Sequence, residues 1–226
     1  MTTTNNPLSQ ATTQLPAAPQ PEITPELVHK LFPATPLANI QANLPAVLAA
    51  LNAVNLGDTP MVLMALSTIR AETESFQPIS EMQSRFNTSP GGHPFDLYDR
   101  RADLGNQGPP DGASFRGRGF VQLTGRANYT HYAQRTGHDL VHHPELACQL
   151  EVAAQLLAVF LADKEPAIRK ALEQNNLAAA RRLINGGTNG LDRFSACYSG
   201  GCTVLASATP PAQPGSPTQS PPRAVA

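Results

Sequence analysis

FRGRGFVQLTGRANY, residues 115–129, is the stretch around which the chain organises itself. Gly117 and Gly119 flank Arg118, so the backbone there is free to bend or to let another segment approach closely. Phe120-Val121-Gln122-Leu123-Thr124 alternates apolar and polar residues, which predicts a short half-buried strand. That strand would turn Gln122 and Thr124 to one face and Val121 and Leu123 to the other. Thr124 is placed to cap a helix carrying Arg126, Asn128 and Tyr129. Two amides and a hydroxyl on one strand-to-helix junction suit a polyhydroxylated, amide-bearing ligand. The plainer alternative is that these groups only satisfy neighbouring backbone.

Outward from this stretch, 226 residues set a prior of one domain with enough chain for a sizeable core. Only 15% of residues are charged and the net charge is −1, so nothing global favours nucleic acid or acidic membranes. Between Gly112 and His138 there is no acid, against Arg116, Arg118, Arg126 and Arg135. Three cysteines, Cys148, Cys197 and Cys202, form no paired framework, and no metal-binding spacing is present. No signal-peptide pattern opens the chain, and no apolar run reaches the roughly 18–20 residues a membrane span needs. The expectation is a chain without a membrane span, cytoplasmic until released by lysis or by a non-classical export route. Residues 1–22 and 204–226 are rich in Pro, Thr, Ser and Gln and read as disordered tails, leaving 23–203 as the folded unit.

Within that unit the pattern is mainly helical. Thr24-Pro25-Glu26 opens a short helix, Leu44–Val54 reads as a second, and Thr59-Pro60 starts a third, apolar nearly all round. At about 100° per residue, Glu72 shares the face of Met61, Val62, Ala65 and Ile69. A carboxyl at the end of a buried apolar stripe is costly to ionise, as a general acid for glycosidic cleavage requires. The competing reading pairs Glu72 with an arginine. From Gln77 to Ser114 the periodicity vanishes, and a loop this long is usually functional or disordered. Phe95, Leu97, Tyr98 and Leu104 favour order, and Glu81, Asp96, Asp99, Asp103 and Asp111 are candidates for a second carboxylate. Helices resume at Leu150–Asp163, Pro166–Glu173, Leu177–Ile184 and about Leu191–Tyr198. Arg193, near the start of the last one, faces an unfavourable helix dipole and needs a carboxylate or ligand to hold it.

With these residues in view, GRGFVQLTGRANY, preceded by YDRRADLGNQGPPDG and a helix ending Ala71-Glu72-Thr73, resembles the family 19 glycoside hydrolases. The resemblance runs from about Thr59 to Tyr198. It implies a mainly α-helical, two-lobed, lysozyme-like fold with a cleft between lobes and a long irregular catalytic loop. It also implies hydrolysis of β-1,4 bonds next to N-acetylglucosamine with inversion, in chitin or in bacterial cell walls. Carried over by position, Glu72 matches the general acid, although Ala71 stands where the family has histidine, and Glu74 and Ser75 replace glycines. Glu81, nine positions on, matches the second carboxylate of the short lysozyme-like members. Thr124 matches the hydroxyl that holds the attacking water, and Gln122 and Asn128 match substrate-amide contacts. Asn185 matches the family's Asn-Gly-Gly turn, Arg193 an arginine near the carboxylates, and Tyr98 is a further substrate-binding candidate.

The mechanism expected is proton donation by Glu72 to the leaving oxygen while Glu81 draws a proton from a water held by Thr124. No metal or organic cofactor is required, and the expected state is a monomer whose partner is the polysaccharide itself. The arginines of 112–138 would tilt one cleft wall positive, which leans the expected target toward peptidoglycan, with chitin oligomers cleaved as well. The rivals are a plain chitinase without peptidoglycan activity, and a sugar-binding module that kept the cleft but lost catalysis.

Overall fold

A computed structural model describes residues 22–208. Of the tails expected over residues 1–22 and 204–226, residues 1–21 and 209–226 lie outside the described residues. Helix α1 spans Pro25–Leu31, with Thr24 Oγ1 accepting from Leu27 N at 3.3 Å as the expected cap. Helix α2 spans Leu37–Ala53 and starts seven residues before the expected Leu44. Pro45 lies inside it rather than in its first turn, where a missing N–H would go unnoticed. Two asparagines on this helix offset the cost by tying it to the chain beyond α3: Asn39 Nδ2 donates to Ser75 O and Asn43 Nδ2 to Phe76 O, each at 3.0 Å.

Helix α3, Thr59–Glu72, is the buried centre: Met61 through Ile69 are all inaccessible, as the apolar run predicts. It packs chiefly against the last helix, α9, Leu191–Ala208. Past Glu72 the chain turns sharply, with Glu74 at φ 39° and Phe76 at φ 55°. Glycine would adopt those angles freely; a side chain there is strained and needs fixing. Phe76 is fixed by an aromatic row, 5.0 Å from Phe32 and 6.2 Å from Phe120, all three fully buried. Glu74 is fixed by Arg70 at 2.5 Å and Arg193 at 3.1 Å.

The chain then forms strand β1, Ile79–Ser80, paired antiparallel with β2, Arg118–Gly119. The loop between them holds two 3-10 turns and the short helix α4, Asp111–Ser114. Phe95 anchors this loop in the interior, but Leu97 is exposed, contrary to the packing expected of it. Helix α5 covers Arg126–Thr136, α6 Leu150–Ala162, α7 Glu165–Glu173 and α8 Leu177–Asn185. Helix α6 packs on α2 and on β2, so the strand pair sits against the helical core instead of floating in the loop.

Two expectations are corrected. Phe120–Thr124 is not a strand: Arg118 and Leu123 exchange both backbone hydrogen bonds, and Gly119 (φ 76°) and Gln122 (φ 51°) make the residues between them a tight turn. Alternation misleads here because Phe120, Val121 and Leu123 are all buried by the turn itself. The last helix also runs beyond the expected Tyr198 and past the boundary set at 203, because Val204 and Leu205 pack on the core. All three cysteines are free, Cys197 buried and Cys202 exposed. No helix of the described residues is long and apolar enough to cross a membrane.

Candidate active site

Where α3 ends, α8 ends and the β2 turn closes, the surface opens into a cleft of about 590 Å³. Glu72, Glu81, Tyr98, Gln122, Thr124, Asn128 and Asn185 all line it, so seven of the eight predicted site residues converge. The eighth, Arg193, does not line it.

Glu72 is the last residue of α3, which carries its carboxyl from the core to the cleft floor. Its partner is Arg181 of α8, with Nη1 2.7 Å from Glu72 Oε1. The Arg181 side chain is 2% exposed and the contact is an ion pair more than an aligned hydrogen bond. Arg181 Nε donates to Asn189 O at 2.8 Å, and Asn185 Nδ2 donates to that same carbonyl at 3.0 Å. Asn185 Oδ1 accepts from Gly187 N at 2.9 Å, so both ends of its amide hold the Asn-Gly-Gly turn. This turn fixes Arg181, and Arg181 fixes Glu72. Pairing with an arginine, raised as the competing reading of Glu72, is therefore present, and it coexists with a place in the cleft.

Arg193 serves the other side of α3. Its guanidinium reaches Glu74 Oε2 at 3.1 Å and the Ala71 carbonyl at 3.3 Å. Capping the last carbonyls of a helix with a cation satisfies otherwise orphan acceptors. A carboxylate thus holds Arg193, one of the two outcomes its position at a helix start requires. The hydrogen bond from Arg70, with Arg193 alongside, keeps the Glu74 carboxyl below its ordinary range.

Glu81 follows β1 directly, and its backbone N–H continues the strand pairing to Gly117 O at 2.7 Å. Three donors hold its carboxylate: Asn87 Nδ2 at 2.9 Å and Tyr98 Oη at 3.0 Å to Oε1, and Gly117 N at 3.1 Å to Oε2. Burial, with Glu81 beside it, pushes the Tyr98 phenol up to about 12, so it donates at any ordinary pH. The remaining acids of the loop are occupied elsewhere. Asp111 makes a two-pronged pair with Arg126, Asp103 pairs with Arg101, Asp96 binds Ser89, and Asp99 holds Gly112 N and His93. None of these four lines the cleft.

Gly117 explains the spacing around Glu81. A Cβ built there would lie 2.8 Å from Gln122 Oε1, 3.2 Å from Glu81 Oε2 and 3.3 Å from Thr124 Oγ1. A glycine at this position is what lets three oxygens share one space. Thr124 does not cap α5; Gly125 holds that position. Its hydroxyl instead donates to Gln122 O at 2.9 Å, leaving the oxygen free to accept. Gln122 Nε2 is spent on Ile79 O and Gly119 O, and Asn128 Nδ2 donates to Thr124 O at 2.8 Å. The amide oxygens of Gln122 and Asn128 are left to face a ligand that donates, through hydroxyls or an acetamido N–H.

The positive cleft wall expected from Arg116, Arg118, Arg126 and Arg135 is not formed. Arg118 is buried against Ser114 O and the Tyr129 hydroxyl, Arg116 donates to Ser80 and Ala113 O, and Arg135 pairs with Asp163. With Arg126 on Asp111, no lysine or arginine lines the cleft. Sequence reasoning missed Arg181 and Asn87. Arg181 was findable, because it shares a helical face with Leu177 and Ile184, an arginine on an apolar stripe matching the glutamate on another. Asn87, buried in an aperiodic loop, left no such signal.

Fold and cleft together are those of a mainly helical, lysozyme-like protein. No protein-family model matches the chain. A curated relative from Haemophilus influenzae, described as a glycosyl hydrolase family 19 domain-containing protein, is 30% identical over 102 residues, 45% of this chain and 48% of that protein. The chain thus spans about half the length of that relative. Among solved structures, chitinase C from Streptomyces griseus HUT6037 aligns with a TM-score of 0.56 at 20% identity, over 84% of this chain and 78% of that one. A chitinase C mutant gives 0.57 with the same identity and coverage. The chain therefore has the fold of chitinase C, and the resemblance to family 19 is shared by a curated relative of that description.

Proposed function

We propose that this protein is a chitinase-type glycosidase that hydrolyses β-1,4 bonds next to N-acetylglucosamine with inversion. The observation that carries the reading is that Glu72 and Glu81 line one cleft, Glu72 against the buried Arg181 guanidinium and Glu81 against uncharged donors. Glu81 faces three donors, an environment that suits a carboxylate, which only accepts. It acts as general base, drawing a proton from a water whose second hydrogen points to Thr124 Oγ1. Glu72 acts as general acid toward the leaving oxygen. Arg181 stabilises the carboxylate that proton donation leaves behind. In an inverting pair the two carboxyl groups stand roughly 6.5–9.5 Å apart to admit the water between them.

A neutral polymer matches the cleft better than an anionic one, since its lining holds two carboxyl groups and no cation. Chitin is neutral, whereas peptidoglycan carries carboxylates that this lining would repel. Mass spectrometry of digests of chitohexaose and purified peptidoglycan tests the choice. Shorter N-acetylglucosamine oligomers from chitohexaose, with few or no muropeptides, are expected. Muropeptides released while chitohexaose stays intact would make the enzyme a cell-wall lysozyme instead.

A further inference from the structure

Large apolar side chains are exposed at four places among the described residues, and all four fall between positions 79 and 97. Ile79 is 39% exposed, Met82 82%, Phe86 75% and Leu97 46%. Scattered exposed apolar residues are ordinary, but concentration on one segment marks a contact surface. Buried Asn87 gathers three of them: it follows Phe86, its Nδ2 donates to Met82 O at 2.9 Å, and its carbonyl accepts from Leu97 N at 3.3 Å. Three of the four adjoin residues that line the cleft. Met82 follows Glu81, Leu97 precedes Tyr98, and the Ile79 carbonyl accepts from Gln122 Nε2 at 3.1 Å.

We propose that this apolar face, centred on Met82 and Phe86, is a platform that carries the polysaccharide chain onward from the cleft. A β-1,4-linked pyranose chain presents apolar C–H faces bordered by hydroxyl and acetamido edges. An aromatic ring and an adaptable thioether cover such a face. The Arg85 guanidinium sits 4.9 Å from the Phe86 ring centroid, and Gln83, Ser84, Thr88 and Ser89 line an adjoining depression with polar groups. An apolar centre with a polar rim is the usual anatomy of a recognition surface. A lipid surface is disfavoured, because residues 79–97 form no amphipathic helix and carry one arginine and no lysine. Continuity with Glu81 and Tyr98 favours the glycan.

The proposal rests on the reading of the cleft as a polysaccharide site, so its test uses binding apart from turnover. In a Glu72→Gln background, Met82→Ser with Phe86→Ser is compared with its parent by co-sedimentation with insoluble chitin and by titration with chitohexaose. Met82→Ser alone serves if the pair lowers the melting temperature. The expected result is an apparent Kd for insoluble polymer raised about tenfold, with a smaller rise for chitohexaose. An unchanged polymer Kd, or an equal rise for both ligands, overturns the platform. Loss of binding to lipid vesicles with polymer binding intact overturns it as well. Sensitive polymer binding in a chain whose wild type never cleaves would keep the platform and sink the hydrolase reading.

Discussion

Glu72→Gln is expected to lower turnover on chitohexaose by at least about 10³, within the range that general acid–base catalysis contributes. The amide cannot donate the proton that the leaving oxygen needs. Its oxygen can still accept from Arg181, so the ion pair becomes a neutral-acceptor contact and the fold is kept. Glu72→Ala is a different experiment. It leaves the 2%-exposed Arg181 guanidinium without a counter-charge, and breaking a buried pair in this way costs roughly 3–5 kcal/mol. The glutamine variant separates chemistry from stability and the alanine variant does not. Turnover within twofold of wild type, with an unchanged circular dichroism spectrum, would remove Glu72 from the mechanism.

The second large effect is expected at Glu81. Glu81→Gln should reduce the rate by at least about 10², the low end for losing general-base assistance. Asp96→Asn and Asp99→Asn, in the same loop, should cost less. Asp96 is tied to Ser89, and Asp99 binds Gly112 N at 2.9 Å and His93 at 3.1 Å, away from the cleft lining. Steady-state rates for the three variants on one oligosaccharide decide the matter. If either aspartate variant is slower than Glu81→Gln, the base has been misassigned.

How much of this was legible in the sequence differs by element. The central helix, its buried stripe and Glu72 at its end follow from periodicity alone, because α3 is buried on nearly every side and tertiary context reinforces the local pattern. The 118–124 turn did not follow. Two left-handed residues, Gly119 and Gln122, fold it back on itself, while the burial of Phe120, Val121 and Leu123 imitates a strand's alternation. The arginines misled for a related reason. Four cations in an acid-free stretch suggest a charged wall, yet the acids that neutralise Arg126 and Arg135 come from outside it, Asp111 immediately before it and Asp163 from well beyond it. Charge partners are set by the fold, and linear spacing does not disclose them. Arg181 and Glu72, each an ionic residue on an apolar helical face, are two local anomalies that the fold resolves in one contact, which the sequence reading left unpaired.

The stereochemistry of the first product tests the account most directly. An acid–base pair that admits a water to the far face of the sugar inverts the anomeric carbon, whereas a nucleophilic carboxylate retains it. Proton NMR of chitohexaose hydrolysis, read before mutarotation, should show the α-anomer appearing first at the new reducing end. Initial release of the β-anomer, or no cleavage by correctly folded wild-type protein, would contradict the assignment of Glu72 and Glu81 as general acid and general base.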